Sequence, residues 1–137
     1  MLDRIGQRAR QAAELQAEQA EIEHLQRLFA RLLQYLDVHA RHLERHLSTW
    51  FSPNTHLTGE ALALLHLGVL LPELRGAARW REQGLAVLHE WFPRQVRADG
   101  TYFEQATQYH RYTTEFYFHL LLLAERSARE GYAAPVG

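Results

Sequence analysis

The stretch TQYHRYTTEFYFHLLLLAERSA, residues 107–128, decides the fold. Wound as a helix, its second half sets Phe116, Tyr117, Phe118, Leu120, Leu121, Leu122, Leu123 and Ala124 almost all the way round the axis. A helix that is apolar on every side is a buried helix. The pattern predicts a helix from about Thr107 to Ala128, with Gly131 as its stop. The apolar run is far shorter than the roughly 18 to 20 residues of a membrane span, and His119 breaks it.

Working outward, the chain reads as helices nearly everywhere. A helix is expected from about Gly76 to Trp91, with Trp80, Leu85, Leu88 and Trp91 as its apolar face and Pro93 kinking or closing its end. Another is expected from about Gly59 to Leu70, ended by Pro72. Ser48 to Thr58 is a break, because Pro53 pushes the residue before it out of the helical region. Arg4 to Leu47 contains no proline and is rich in Ala, Gln, Glu and Arg, all good helix formers. From Leu25 its apolar residues Leu28, Phe29, Leu32, Leu33 and Leu36 form a helical stripe. Before Leu25 the stripe is thin, with Leu15 and Ile22 nearly alone, so that part is expected to be exposed. Ala98-Asp99-Gly100 is a turn signal. Thr101 to Phe103 is too short to count as a strand. The expectation is an all-α chain of antiparallel helical hairpins. Four such helices can hardly enclose one of their own number, so the chain either belongs to a larger helical body or associates with something.

Composition narrows the chemistry. The formal net charge is −1, which leaves no electrostatic footprint for nucleic acid or an anionic membrane. With no cysteine, disulfides, thiolate catalysis and Fe–S ligation are excluded. All 15 basic residues are arginine, so lysine Schiff-base chemistry and a P-loop are excluded too. The first twenty residues lack an apolar core and do not read as a signal peptide. As it stands the chain reads as cytoplasmic, or as periplasmic if its natural start is missing.

Two polar clusters interrupt the apolar pattern. One is Asn54-Thr55-His56-Leu57-Thr58-Gly59-Glu60, and the other runs from Glu104 through Gln105, Thr107, Tyr109, His110 and Arg111 to Tyr112. Each leads into a helix. In a chain of antiparallel hairpins the second and fourth helices run the same way, which would bring both clusters to one end. Helix N-termini also favour anionic ligands. Asn54, Thr55, Thr58 and Thr107 are good helix caps, which accounts for the small polar residues but not for His56, Tyr109 and His110 beside them. His39, His42 and His46 share one helix face. Three histidines on one helix rarely converge on a tetrahedral centre, so they are read as a polar face, and neither a metal nor a cofactor is expected.

SPNTHLTGEALALL (52–65) and DGTYFEQATQYHRYTTEFYFHLLLLAER (99–126) resemble the helical catalytic domain of heparinase II/III-type polysaccharide lyases, a group that includes alginate lyases. HARHLERHLSTWF (39–51) and LPELRGAARWREQGLAVLHEW (71–91) fit the same pattern, while the first 38 residues match less clearly. The resemblance implies an incomplete (α/α) toroid over residues 39–130, preceded by a helical segment over 1–38 and followed in the family by a β-sheet domain. It implies β-elimination at a uronic acid of an acidic polysaccharide. Carried over, Asn54 would quiet the substrate carboxylate, His56 would act as base or as a second carboxylate contact, and Tyr109 would protonate the leaving oxygen. His110, Arg111, Glu104 and Gln105 would bind substrate or shape the loop. In some relatives a histidine directly follows the asparagine; here Thr55 intervenes. The family's further catalytic histidine comes from the region after the toroid, so this chain alone is expected to show little or no lyase activity. Two rival readings are a non-catalytic carbohydrate-binding module and a helical interaction domain that pairs with itself or with the remainder of the enzyme.

Overall fold

The computed structural model describes residues 2–129, which form four helices: α1 (Leu2–Arg45), α2 (Thr55–Leu70), α3 (Ala77–Gln95) and α4 (Thr107–Arg129). The protein is all-α, and among the described residues the only β pairing is one antiparallel bridge between Val96 and Tyr102. Gly131, expected to stop the last helix, lies outside the described residues. Two compact units are present: one runs to Leu36, and the other begins at Asp37. The first unit is a single helix whose apolar side chains Leu15, Ile22, Leu25, Leu28, Phe29 and Leu32 are exposed.

In the second unit α2 is the central element. Leu57, Ala61, Leu62, Leu64 and Leu65 are all buried. Against α3 it runs antiparallel: Thr58 meets Gln95, Ala61 and Leu65 meet Gly84, and Gly68 meets Ala77 and Arg81. The contact is close because two glycines make it. A Cβ on Gly84 would stand 2.4 Å from the Ala61 carbonyl oxygen, and one on Gly68 would stand 2.4 Å from that of Ala77. The chain after Asp37 closes a second cluster, in which Ala40, Leu64 and Trp80 are fully buried, with Leu43, Leu47, Leu67 and Leu74 around them. Polar ties pin this junction. Glu44 accepts from Arg79 Nε at 2.8 Å and from Trp80 Nε1 at 3.2 Å, and these hydrogen bonds, led by Arg79, lower its pKa. Glu60 accepts from the Ser48 amide and hydroxyl, both at 2.7 Å.

Helix α4 runs parallel to α2, since Thr55 meets Thr113, Gly59 meets Phe116 and His66 meets His119. Its inward stripe of Phe116, Tyr117, Leu120 and Leu123 joins Ala61, Leu62, Leu65 and Leu88 in the main core. The opposite side stays open, with Phe118 58% and Leu121 66% exposed. The apolar second half of α4 is therefore covered on one side only.

Candidate functional site

The start of α2 lies four residues before the expected Gly59, and Asn54 is the reason. Its backbone is extended (φ −135°, ψ −157°), and its Oδ1 accepts the His56 amide N–H at 3.0 Å, which makes it the N-cap. The same oxygen lies 3.0 Å from His56 Nδ1. An amide oxygen only accepts, so Nδ1 is the donor, which in the neutral ring places the lone pair on Nε2. With Oδ1 committed to its own helix, the NH₂ of Asn54 is left to donate outward. Asn54 is half-buried and His56 exposed, so an amide donor and an imidazole acceptor sit side by side at the surface.

A buried polar network holds this corner. Thr55 Oγ1 is in tight contact with Glu104 Oε2, lies 3.0 Å from the Tyr102 hydroxyl and 3.4 Å from Thr113 Oγ1. Glu104 Oε2 also accepts the Thr55 amide N–H at 3.0 Å. Burial pushes the Tyr102 phenol's pKa up, against the opposing pull of its hydrogen bonds to Thr113 and Thr55. Gln95, buried at the end of α3, accepts from Thr58 Oγ1 at 2.8 Å and donates to the carbonyls of Pro53 and Asn54 at 3.4 and 3.3 Å. The amides of Thr55 and His56 are thus already taken by Glu104 and Asn54. Any anion held here would be gripped by the Asn54 side chain rather than by those two helix amides.

The hairpin between α3 and α4 brings Glu104 to this position. Gly100 turns the chain at φ +83°, Asp99 Oδ1 accepts from the Thr101 amide and hydroxyl at 2.9 and 2.7 Å, and the Val96–Tyr102 bridge sets the register. Those two Thr101 bonds lower the Asp99 pKa. Gln105 then takes a left-handed conformation (φ +55°), which redirects the chain into α4. Its side chain is exposed.

Tyr109 lies in the first turns of α4 and is 41% exposed. It is four residues before Thr113, so it shares that residue's helix face, one turn nearer the end where Asn54 caps α2. Among the described residues no hydrogen bond joins it to Asn54 or His56. His110 lines an open groove of about 270 Å³ together with Phe92, Gly100, Tyr102, Thr113 and Tyr117, so the groove borders the Thr55 network. Arg111 is exposed, 3.6 Å from Glu115 and above the Tyr112 ring. So Asn54 and His56 touch, Glu104 buttresses them through Thr55, Tyr109 stands at the same end, His110 lines the neighbouring groove, and Arg111 and Gln105 are exposed. The sequence reading missed Tyr102, Gln95 and Thr113. The first sits in a hairpin too short to read as a strand, and the other two look like ordinary helix residues. His42 and His46 lie ring to ring at 4.6 Å, and among the described residues no three His, Asp or Glu side chains come together as a metal site.

The profile of the Heparinase II/III N-terminus family matches residues 4–134. The chain belongs to that family. Its sequence is also 35% identical over 82 residues to a heparin-sulfate lyase of Pedobacter heparinus, a stretch that covers 59% of this chain and 12% of that protein. Heparin-sulfate lyases of Bacteroides stercoris (30% over 79 residues, 58% and 12%) and Bacteroides thetaiotaomicron (32% over 69 residues, 50% and 10%) are similar too. The chain spans about an eighth of the length of these relatives. No solved structure matches it.

Proposed function

We propose that this heparinase II/III-type chain supplies one side of the uronate site of a β-eliminating polysaccharide lyase, on helices that form part of an (α/α) toroid. The substrate class is a glycosaminoglycan of the heparan type, which the named activity of the similar lyases supports. The observation that carries the reading is the shared oxygen of Asn54, which leaves its NH₂ to donate to a ligand and, in the neutral imidazole, places the lone pair on His56 Nε2. A proton on C5 beside an ionised carboxylate is only weakly acidic. Two N–H donors on that carboxylate stabilise the charge as it develops, and such donors are worth roughly 10²–10³ in rate. His56 Nε2 then takes the C5 proton, the C4–O bond breaks as the C4=C5 double bond forms, and the Tyr109 hydroxyl protonates the departing oxygen. Glu104 acts through Thr55 and Gln95 acts through the Asn54 carbonyl: both position the pair rather than touch the sugar. A histidine from outside this chain completes the reaction, so the chain alone forms little or no unsaturated product.

Asn54→Asp tests the site without touching the fold. Aspartate caps helices as well as asparagine does, so the melting temperature should hold. The variant replaces two donors with a negative charge that repels the substrate carboxylate. Titrated with heparan sulfate oligosaccharides and followed by amide NMR shifts, the native chain should bind weakly, and Asn54→Asp should lose at least tenfold in affinity. Equal binding by the two proteins would overturn the assignment.

A further inference from the structure

The loop between α1 and α2 carries two aromatic rings that the packing of the fold does not use. Trp50 is 88% exposed, and Phe51 is wholly exposed. Both ends of the loop are nevertheless fixed to α2. Ser48 donates its amide and its hydroxyl to Glu60, and Gln95 Nε2 donates to the carbonyls of Pro53 and Asn54. Trp50 follows Ser48 by two residues, so their Cα atoms are at most about 7 Å apart. Phe51 takes a left-handed backbone conformation (φ +67°), which is costly for a bulky side chain. Strain of that kind collects at functional sites. Among the described residues the other non-glycine residue with positive φ is Gln105, in the loop that leads into α4.

The directions of side chains around α2 say what the loop borders. Thr55, Gly59, Leu62 and His66 meet α4, whereas Glu60 and Leu64 meet the chain from Ala40 to Ser48. At about 100° per residue, His56 falls in the sector between these two sides, and it is exposed. Helix α4, with Tyr109 in its first turns, flanks that sector on one side. The loop that begins at Ser48 flanks it on the other.

The chemistry of the loop fits a sugar. The rings are accompanied by Ser48, Thr49, Ser52, Pro53, Asn54 and Thr55, and by no Leu, Ile, Val or Met. A pyranose ring offers C–H groups on its faces and hydroxyls around its edge. An aromatic face, negative at its centre, takes the C–H side, while neighbouring hydroxyls and amides take the edge. We propose that Trp50 and Phe51 form a stacking platform for the sugar next to the uronate held by Asn54 and His56. This platform rests on the uronate site proposed above.

Tryptophan fluorescence of the whole chain tests it. The other two tryptophans are Trp80, fully buried, and Trp91, half-buried, so Trp50 dominates quenching by acrylamide. A saturating heparan sulfate tetrasaccharide should reduce that quenching severalfold. Trp50→Ala should weaken tetrasaccharide binding about fivefold at an unchanged melting temperature, and Trp50→Tyr, which keeps a flat ring, should retain most of the affinity. Phe51→Gly removes a ring and relieves the backbone. Binding should weaken while the melting temperature holds or rises, a combination that a purely structural role does not give. Asn54→Asp separates the two readings. If it weakens binding while Trp50 stays fully quenchable in the native complex, or while Trp50→Ala binds as the native chain does, the platform falls and the uronate site stands. A native chain that binds no oligosaccharide overturns both. A dimer that Trp50→Ala turns into a monomer would also overturn the platform, by showing that the rings cover a second copy.

Discussion

Helices α2 and α4 lie side by side, run in the same direction and are both rich in leucine, yet they end up in different environments. On α2 the residues Leu57, Ala61, Leu62, Leu64 and Leu65 are all buried. It is flanked by α3, by the last turns of α1 and by α4, and its glycine contacts bring the α3 backbone within touching distance. On α4 one stripe packs inward, while Phe118, Leu121 and Leu122 face out. Apolar content therefore does not by itself bury a helix; the number of neighbours that can reach it does. The buried residues of α2 are packed by three neighbours, and that packing reaches Thr55, next to the N-cap Asn54.

The sharpest way to break this contrast is a matched pair of truncations. Leu64→Ala should cost about 3 kcal/mol, because it opens a cavity beside Ala40 and Trp80 in a cluster with no slack. Leu121→Ala, on the open face of α4, should change stability by less than about 0.5 kcal/mol. Urea unfolding of the two variants measures both. Similar losses would mean that the outer face of α4 is covered in solution.

A finer comparison uses glycine. At Gly84 a methyl group would meet backbone atoms of Ala61 and Leu65 at 2.4 and 2.8 Å, and backbone cannot swing away. Gly84→Ala should destabilise by about 2 kcal/mol despite the gain in helix propensity. At Gly59 the nearest atoms are those of the Phe116 ring at 3.4 Å, an ordinary contact. Gly59→Ala should be neutral or stabilise by up to about 1 kcal/mol, since alanine is the better helix former. Thermal melts of the two variants should therefore shift in opposite directions, or one should stay still.

These contrasts also show which parts of the molecule were legible in advance. The helical class followed from periodicity, and the incomplete burial of α4 was foreshadowed by the surplus of apolar residues over helices able to cover them. The start of α2 was misplaced because Asn54, Thr55 and Thr58 are all capping types, and only the bond from Asn54 Oδ1 to the His56 amide selects one. Pro93 sits inside α3, which continues to Gln95. That short extension carries the glutamine that ties Thr58 to the Pro53 and Asn54 carbonyls, a contact across some forty residues that no local pattern announces. Likewise, the family resemblance alone made Glu104 a candidate to bind substrate or shape the loop. Its bonds to Thr55 are tertiary, set by the Val96–Tyr102 bridge and the turn at Gln105.

The inward stripe of α4 carries one flaw that sharpens the comparison further. Among the described residues the buried Tyr117 hydroxyl has no hydrogen-bond partner of good geometry; the neighbouring Thr58 hydroxyl, whose hydrogen-bonding pull lowers the Tyr117 pKa, donates to Gln95. Burial disfavours the phenolate and pushes the Tyr117 pKa up to about 12. Because the folded value lies above the unfolded one of about 10, the neutral form's contribution to stability is intact below pH 10 and is lost as pH rises through 12. Tyr117→Phe keeps the edge-on contact with the Phe92 ring, 4.6 Å away, and removes the orphan oxygen. At neutral pH it should leave stability unchanged or raise it by up to about 1 kcal/mol. Above pH 10 it should remove this part of the alkaline loss and the latest-titrating phenolate absorbance. A clear loss of stability at neutral pH would show instead that the hydroxyl is satisfied in solution, and that the inner face of α4 is as fully matched to its surroundings as α2.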